Sequence, residues 1–310
     1  MKKVAFIFPG QGSQKIGMAK DFFENSDIAK DMIAKASKRL GFSFEELLFE
    51  ENDNLGKTEF TQPAILLVSA IATEIFKSKC DIKPEFVLGH SLGEFSALVA
   101  SGAINYLDAI ELVHKRGLFM TEACSGAGAG MMALVGLDDA TVEQICEEQR
   151  ANGKKVWAAN YNMDGQLVLA GLKADLESIS DTFITAGAKK AIVLDMSVAS
   201  HCDLLTSTIE NLKPYMEEFI TDNFNSSVVS NVTAAEYSSK EEAIELLCQQ
   251  LVNPVKYKHS IAANADNIDM FIEFGNGIVL KGLNRKITKT PTLNVSDMKS
   301  LEKTLGALND

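Results

Sequence analysis

The chain is short of proline, of paired cysteine, of positive charge and of long apolar runs, and each shortage closes off a class of protein. Six prolines and 21 glycines among 310 residues leave no collagen repeat and no proline-rich disordered tract. With 46% hydrophobic and 23% charged residues, the composition is that of a globular protein with a sizeable core. The five cysteines, Cys80, Cys124, Cys146, Cys202 and Cys248, are odd in number and scattered. None forms a CxxC pair, which argues against a zinc site or disulfide framework and for free thiols in a reducing compartment. Acidic residues outnumber basic ones by 42 to 30, for a net charge of −12. A phosphate backbone demands a basic face, so nucleic acid is not the expected partner. An acidic protein partner would need a local basic patch on a surface that otherwise repels it.

The first apolar run, Val4 to Phe8, ends at Pro9. It is too short for a signal peptide and reads as a buried strand of a parallel sheet. Nowhere does the chain approach the roughly 18 uninterrupted apolar residues of a membrane span. A soluble, cytoplasmic protein is therefore expected. The lack of any heptad or interface pattern points to a monomer.

Apolar residues at Ile28, Met32, Ala36 and Leu40 mark one face of a helix over 26–40. Thr61-Gln62-Pro63 reads as the start of a second helix, which is apolar almost all round and therefore central. A short strand at 86–88 leads into Gly89-His90-Ser91-Leu92-Gly93 and a further helix, and Asn105 caps the next. Ser125-Gly126-Ala127-Gly128-Ala129-Gly130 is a hinge of small residues. Beyond it, strands are expected at 131–135, 156–159, 166–170 and 189–195, with helices at 139–150 and 173–186. That β-α-β-β-α-β order is the ferredoxin-like pattern. The expected architecture is a large α/β-hydrolase-like domain with a parallel sheet, residues 1–125 and 198–310, and an inserted ferredoxin-like subdomain, residues 126–197. In the later part of the large domain, strands are expected at 228–232 and 271–274 and a helix at 240–251.

Gly89-His90-Ser91-Leu92-Gly93 fits G-x-S-x-G between a strand and a helix. A serine on so tight a turn is thrust outward, and flanking glycines let the backbone turn without a clash. The helix N-terminus behind it offers free N–H groups to a developing oxyanion. A serine nucleophile needs a base within hydrogen-bond reach, and there are only four histidines. His90 would point away from its neighbour, His114 lies within an amphipathic helix, and His259 sits in a lysine-flanked polar stretch. His201, where the chain returns from the small subdomain, is slightly favoured on this ground alone. Arg116, read blandly, is half of an ion pair on a helix surface.

Six segments then occur together in order: Phe8-Pro9-Gly10-Gln11-Gly12-Ser13-Gln14, the Ser91 pentapeptide, Arg116-Gly117, Val198-Ala199-Ser200-His201, Asn253-Pro254-Val255, and a tail from Glu273 to Leu280. In these the chain resembles the malonyl-CoA:acyl carrier protein transacylases, over nearly its whole length. The resemblance implies that Ser91 is acylated, that His201 is general base and acid, and that the main-chain carbonyl of Gln250 orients it. It implies an oxyanion hole from the N–H groups of Gln11 and Leu92, and a grip on the malonyl carboxylate by Arg116. Asn160 and Asn162 fall where the family has site-lining asparagines. Two residues depart from the common pattern. Asn276 replaces a proline of the tail, which should alter only a local turn. Ser200 stands where many malonyl-selective relatives carry phenylalanine, leaving room for a branched acyl group.

The implied activity is ping-pong transfer of malonyl from malonyl-CoA to acyl carrier protein, with no bound metal or redox cofactor. Candidate basic residues for docking the carrier protein are Lys189, Lys190, Lys281, Arg285 and Lys286. Two other readings compete. An α/β-hydrolase would take its histidine late in the chain, as at His259. A catalytically silent subunit that binds carrier protein would not need an intact Ser91, His201 and Arg116.

Overall fold

Val4–Phe8 forms β1, and all five of its residues are buried, as a strand covered on both faces requires. The computed structural model describes residues 2–309. After β1 come α1 (Lys20–Asn25), α2 (Asp27–Leu40), α3 (Phe44–Phe49), α4 (Thr58–Lys77), β2 (Phe86–Gly89), α5 (Gly93–Ser101) and α6 (Tyr106–Cys124). The middle of the chain holds β3 (Ala129–Val135), α7 (Asp139–Ala151), β4 (Val156–Met163), β5 (Gln166–Leu172), α8 (Lys173–Thr185) and β6 (Lys190–Val193). The remainder runs through α9 (Thr206–Phe219), β7 (Ser227–Val229), β8 (Glu236–Tyr237), α10 (Lys240–Val252) and α11 (Tyr257–Asn264). It closes with β9 (Met270–Phe274), α12 (Val279–Ile287), β10 (Thr292–Val295) and α13 (Met298–Asn309).

Two sheets result. The larger has the order β10-β9-β1-β2-β7-β8, with every neighbouring pair parallel except the short edge pair β7–β8. Phe8 pairs with Gly89, so the loops after β1 and β2 leave the sheet side by side at its carboxyl edge. The chain after β7 leaves at the same edge, which is where open α/β sheets place their ligands. The smaller sheet is antiparallel, in the order β4-β5-β3-β6. It has an apolar cluster of its own, built on Met132, Leu134, Val142, Leu169, Leu176 and Phe183. Val255 joins the two sheets: its N–H donates to Ala159 O at 2.8 Å, and its carbonyl accepts from Tyr161 N–H at 2.9 Å.

Helix α4 is central, as its apolar run implies. Among the described residues it alone is long and apolar enough to cross a membrane, and 83% of that stretch is buried within the protein. Its start differs from expectation. The helix begins at Thr58, and Thr61 is not a cap: its hydroxyl donates to Leu55 O at 2.6 Å and lies 2.9 Å from Lys57 O. Pro63 therefore lies inside the helix and cannot donate to Glu59 O. His114 of α6 supplies the missing donor through Nδ1 at 2.8 Å. Helix α6 can approach α4 this closely because Gly117 has no Cβ; one there would sit 2.5 Å from Glu59 Cα.

Two expected strands are shorter than their apolar runs. The one expected at 228–232 ends at Val229, where Ser230 enters a tight turn onto Ala235 and Asn231 reaches to the end of β2. The one expected at 189–195 is regular only over Lys190–Val193, after which the chain leaves for His201. The five cysteines are free thiols.

Candidate active site

Strand β2 ends at Gly89 and helix α5 begins at Gly93, so three residues make the turn between them. Ser91 sits in it with φ 52°, in the left-handed region. A non-glycine residue there costs about 1–3 kcal/mol and persists only where its surroundings hold it. The glycines make the approach possible: a Cβ on Gly89 would lie 1.9 Å from the Gly93 carbonyl carbon, and one on Gly93 would lie 2.1 Å from Phe8 O. Asn231 supplies the hold. Its side-chain oxygen accepts from Ser91 N–H at 2.7 Å, and its amide nitrogen donates to Gly89 O at 2.6 Å.

His201 Nε2 lies 2.7 Å from Ser91 Oγ, and its Nδ1 lies 2.7 Å from the main-chain oxygen of Gln250. A carbonyl can only accept, so Nδ1 carries the proton and Nε2 presents its lone pair to the serine. His201 also has a left-handed backbone, φ 63°. Burial, with the Arg116 charge nearby, pushes its pKa down to about 3. The ring is therefore neutral at pH 7. The other histidines are engaged elsewhere. His90 Nε2 pairs with Asn162 Oδ1 at 2.8 Å, and its ring lies 5.5 Å from that of Tyr257. His114 serves the α4–α6 contact, and His259 lies 4.0 Å from Asp139, against the small sheet.

Arg116 is not half of a surface pair. It is 1% exposed, and no carboxylate lies within 4.0 Å of it among the described residues. Nη1 donates to Gln62 Oε1 at 2.9 Å, and Nη2 donates to Gln250 Oε1 at 3.2 Å. Nη2 also lies 3.5 Å from Ser91 Oγ, while Nε is buried without an acceptor. The guanidinium carbon stands 5.3 Å from the centroid of the Phe95 ring, a favourable placement for a cation. Burial lowers its pKa to about 10, so it stays charged at neutral pH. Nε and Nη2 lie along one edge of the guanidinium, the edge that grips a carboxylate through two parallel bonds.

These groups line a cavity of about 380 Å³ with Gln11, Leu92, Asn160, Asn162, Ser200 and Met120. Among the described residues, the main-chain N–H groups of Gln11 and Leu92 meet no acceptor. Asn276 does more than shape its own turn. Its amide donates to Ser13 O at 2.6 Å and ties the tail to the loop that bears Gln11. Asn160 is buried where β4 meets Val255, and Asn162 is occupied by His90.

The five basic candidates do not form one group. Arg285 and Lys286 are exposed in the last turn of α12, the helix whose Val279, Leu280 and Leu283 line the cavity. Lys281, on the same helix, is half-buried and donates to Asn294 Oδ1 at 3.1 Å. Lys190 is exposed on β6, and Lys189 lines a separate cavity of about 720 Å³ with Asp138, Asp139 and Lys258.

Four polar residues of the site escaped the sequence reading: Gln62, Glu94, Asn231 and Tyr237. Glu94 is wholly buried, and burial raises its pKa to about 7 against the pull of its donors. Gln62 and Glu94 had a legible signal, a polar side chain within an apolar helix that has no solvent face for it. Asn231 and Tyr237 had none, since they reach the site from a strand end and an edge strand.

Comparison with known proteins shows the family to which the chain belongs. The sequence matches the acyl transferase domain family over residues 5–301. It is 38% identical to the malonyl CoA-acyl carrier protein transacylase of Bacillus subtilis (strain 168), with 100% of this chain and 98% of that protein covered. The solved malonyl-CoA:acyl carrier protein transacylase of Helicobacter pylori superposes with a TM-score of 0.97 at 41% identity, covering 100% of this chain and 99% of that one. A malonyl-transacylase solved with its type II polyketide acyl-carrier protein superposes at 0.94 with 35% identity, covering 98% and 99%. The chain belongs to the acyl transferase family and is an acyltransferase enzyme.

Proposed function

We propose that this enzyme moves a malonyl group from malonyl-CoA to the pantetheine thiol of an acyl carrier protein, through an ester on Ser91. The observation that carries the reading is a buried, charged Arg116 with an unfilled Nε donor and with Nη2 3.5 Å from Ser91 Oγ. A short acyl group that ends in a carboxylate satisfies both at once. The names of the relatives point to the same substrate and acceptor.

In the first half-reaction, Ser91 Oγ attacks the thioester carbon and His201 Nε2 takes the hydroxyl proton. The N–H groups of Gln11 and Leu92 stabilise the oxyanion, each donor worth about 2.7–4 kcal/mol in comparable sites. The C–S bond breaks, and His201 returns the proton to the departing coenzyme A thiolate. In the second half, the carrier thiol gives its proton to His201 and attacks the ester, and Ser91 Oγ leaves and recovers that proton. Residues of this chain suffice for each transfer. Ser200 adds little bulk to the cavity, so a methyl branch on the malonyl carbon is also accommodated.

The carrier protein docks on the α12 side of the cavity, where Arg285 and Lys286 offer positive charge on an otherwise acidic protein. The strand order of the small sheet supports the ferredoxin-like grouping of residues 126–197, inserted in an α/β-hydrolase-like domain of residues 1–125 and 198–310. Five free thiols suit a cytoplasmic location.

Removing the arginine tests the reading. Arg116→Ala should lower the rate of acylation by malonyl-CoA at least a hundredfold and leave that by acetyl-CoA nearly unchanged, since an unpaired buried charge costs about 3–5 kcal/mol. Equal losses with both substrates, in rapid-quench measurements, would contradict it. For the base, NMR of ring-labelled histidine should find His201 as the neutral Nδ1–H tautomer from pH 8 down to pH 5. Its folded pKa, about 3, lies below the unfolded value of 6.5. This group therefore contributes stability above pH 6.5 that is lost as the pH falls towards 3. A ring that titrates near pH 6.5 would refute the assignment. Arg285→Glu should raise the KM for carrier protein about tenfold or more while the rate of Ser91 acylation stays unchanged. An unaltered KM would exclude this docking face.

A further inference from the structure

Glu94 has no exposed surface, lies in the first turn of α5, and takes no part in the steps above. A carboxylate so buried is tolerated only when fully hydrogen-bonded. Three donors serve it. Gln250 Nε2 donates to Oε2 at 2.7 Å, Asn231 N–H donates to Oε2 at 3.1 Å, and Tyr237 OH donates to Oε1 at 3.0 Å.

Two of these donors have second attachments at the reacting groups. Asn231 holds the Ser91 turn through Ser91 N–H and Gly89 O. Gln250 accepts from His201 with its main-chain oxygen and from Arg116 with its side-chain oxygen. It also donates from Nε2 to Ser91 O at 3.1 Å. A glutamine amide can face either way, and its neighbours decide which. All three of its neighbours present N–H or O–H groups, so Glu94 is the acceptor here and takes the NH₂ of Gln250, and the amide oxygen is left for the guanidinium. The reverse orientation would set NH₂ against Arg116 and oxygen against carboxylate.

The arrangement also keeps the two charges apart. Arg116 and Glu94 are bridged by one neutral amide rather than closed into a direct pair. A direct pair would fill the edge of the guanidinium that the Proposed function, on which this inference rests, gives to the substrate carboxylate.

We propose that Glu94 is a positioning residue: through Gln250 and Asn231 it fixes the guanidinium of Arg116 and the Ser91 turn in register, and so sets selectivity for carboxylated acyl groups. Glu94→Gln removes the charge and one acceptor oxygen, so its NH₂ must face either Tyr237 OH, which then accepts instead of donating, or the Gln250 and Asn231 donors. Acylation by malonyl-CoA and by acetyl-CoA is measured with the full-length variant, beside its thermal unfolding. The expected result is a malonyl-to-acetyl rate ratio lowered at least tenfold. Glu94→Asp keeps the charge and both acceptors on a shorter arm and should recover part of that ratio; it also serves if Glu94→Gln does not fold. Rates that are unchanged, or lowered equally for both substrates in both variants, would overturn the proposal and leave Glu94 a structural residue. A wild-type enzyme that shows no preference for malonyl over acetyl would overturn both this proposal and the reading beneath it.

Discussion

Arg116 carries a positive charge into the protein interior, and much of the site is arranged around keeping it there. A buried guanidinium is costly without compensation, and a direct carboxylate partner is the usual remedy. Here the partners are two neutral amides, Gln62 and Gln250, with the face of Phe95 nearby. The one buried acid in reach, Glu94, acts from behind Gln250. The charge is thus stabilised enough to persist at neutral pH, yet its Nε is left without an acceptor while Nη2 lies 3.5 Å from Ser91 Oγ.

The fold makes this possible by bringing distant segments to one edge of one sheet. Adjacent parallel strands β1 and β2 deliver the Gln11 loop and the Ser91 turn side by side. Strand β7 ends where Asn231 can reach across to the same turn. Arg116 comes from α6, packed closely on α4 through Gly117, and Gln62 faces it from α4. His201 follows β6, an edge strand of the small sheet, and the main-chain oxygen of Gln250, near the end of α10, holds its ring. Two of the four non-glycine residues with a left-handed backbone among the described residues share the central hydrogen bond. Ser91 and His201 both have positive φ, at 52° and 63°. The interior that surrounds them must supply what each conformation costs.

Much of this was legible in the sequence where local pattern coincides with local structure. The apolar run of β1, the all-apolar texture of α4, the Asn105 cap and the β-α-β-β-α-β element order of residues 131–195 each follow from local pattern or capping alone. The boundary of α4 was misread because Thr61-Gln62-Pro63 carries the ordinary start signal. The cost of Pro63 inside the helix is offset by His114, 51 residues away in the sequence. No local rule can see such a partner. The same limit applies at the site. Ser91 is announced by its two glycines, whereas its contact with His201 spans 110 positions. The resemblance to a family, not spacing, singled out His201, Arg116 and Gln250 together. Asn231, whose side chain is used entirely in holding other groups, carries no motif of its own.

The central claim is that acyl transfer passes through Ser91, and intact-mass measurement after mixing with malonyl-CoA tests it most directly. The account predicts that the wild-type chain gains one malonyl group and loses it again when carrier protein is added, while Ser91→Ala gains none. An adduct that survives in Ser91→Ala, or a wild type that releases free malonate without ever carrying the group, would contradict it.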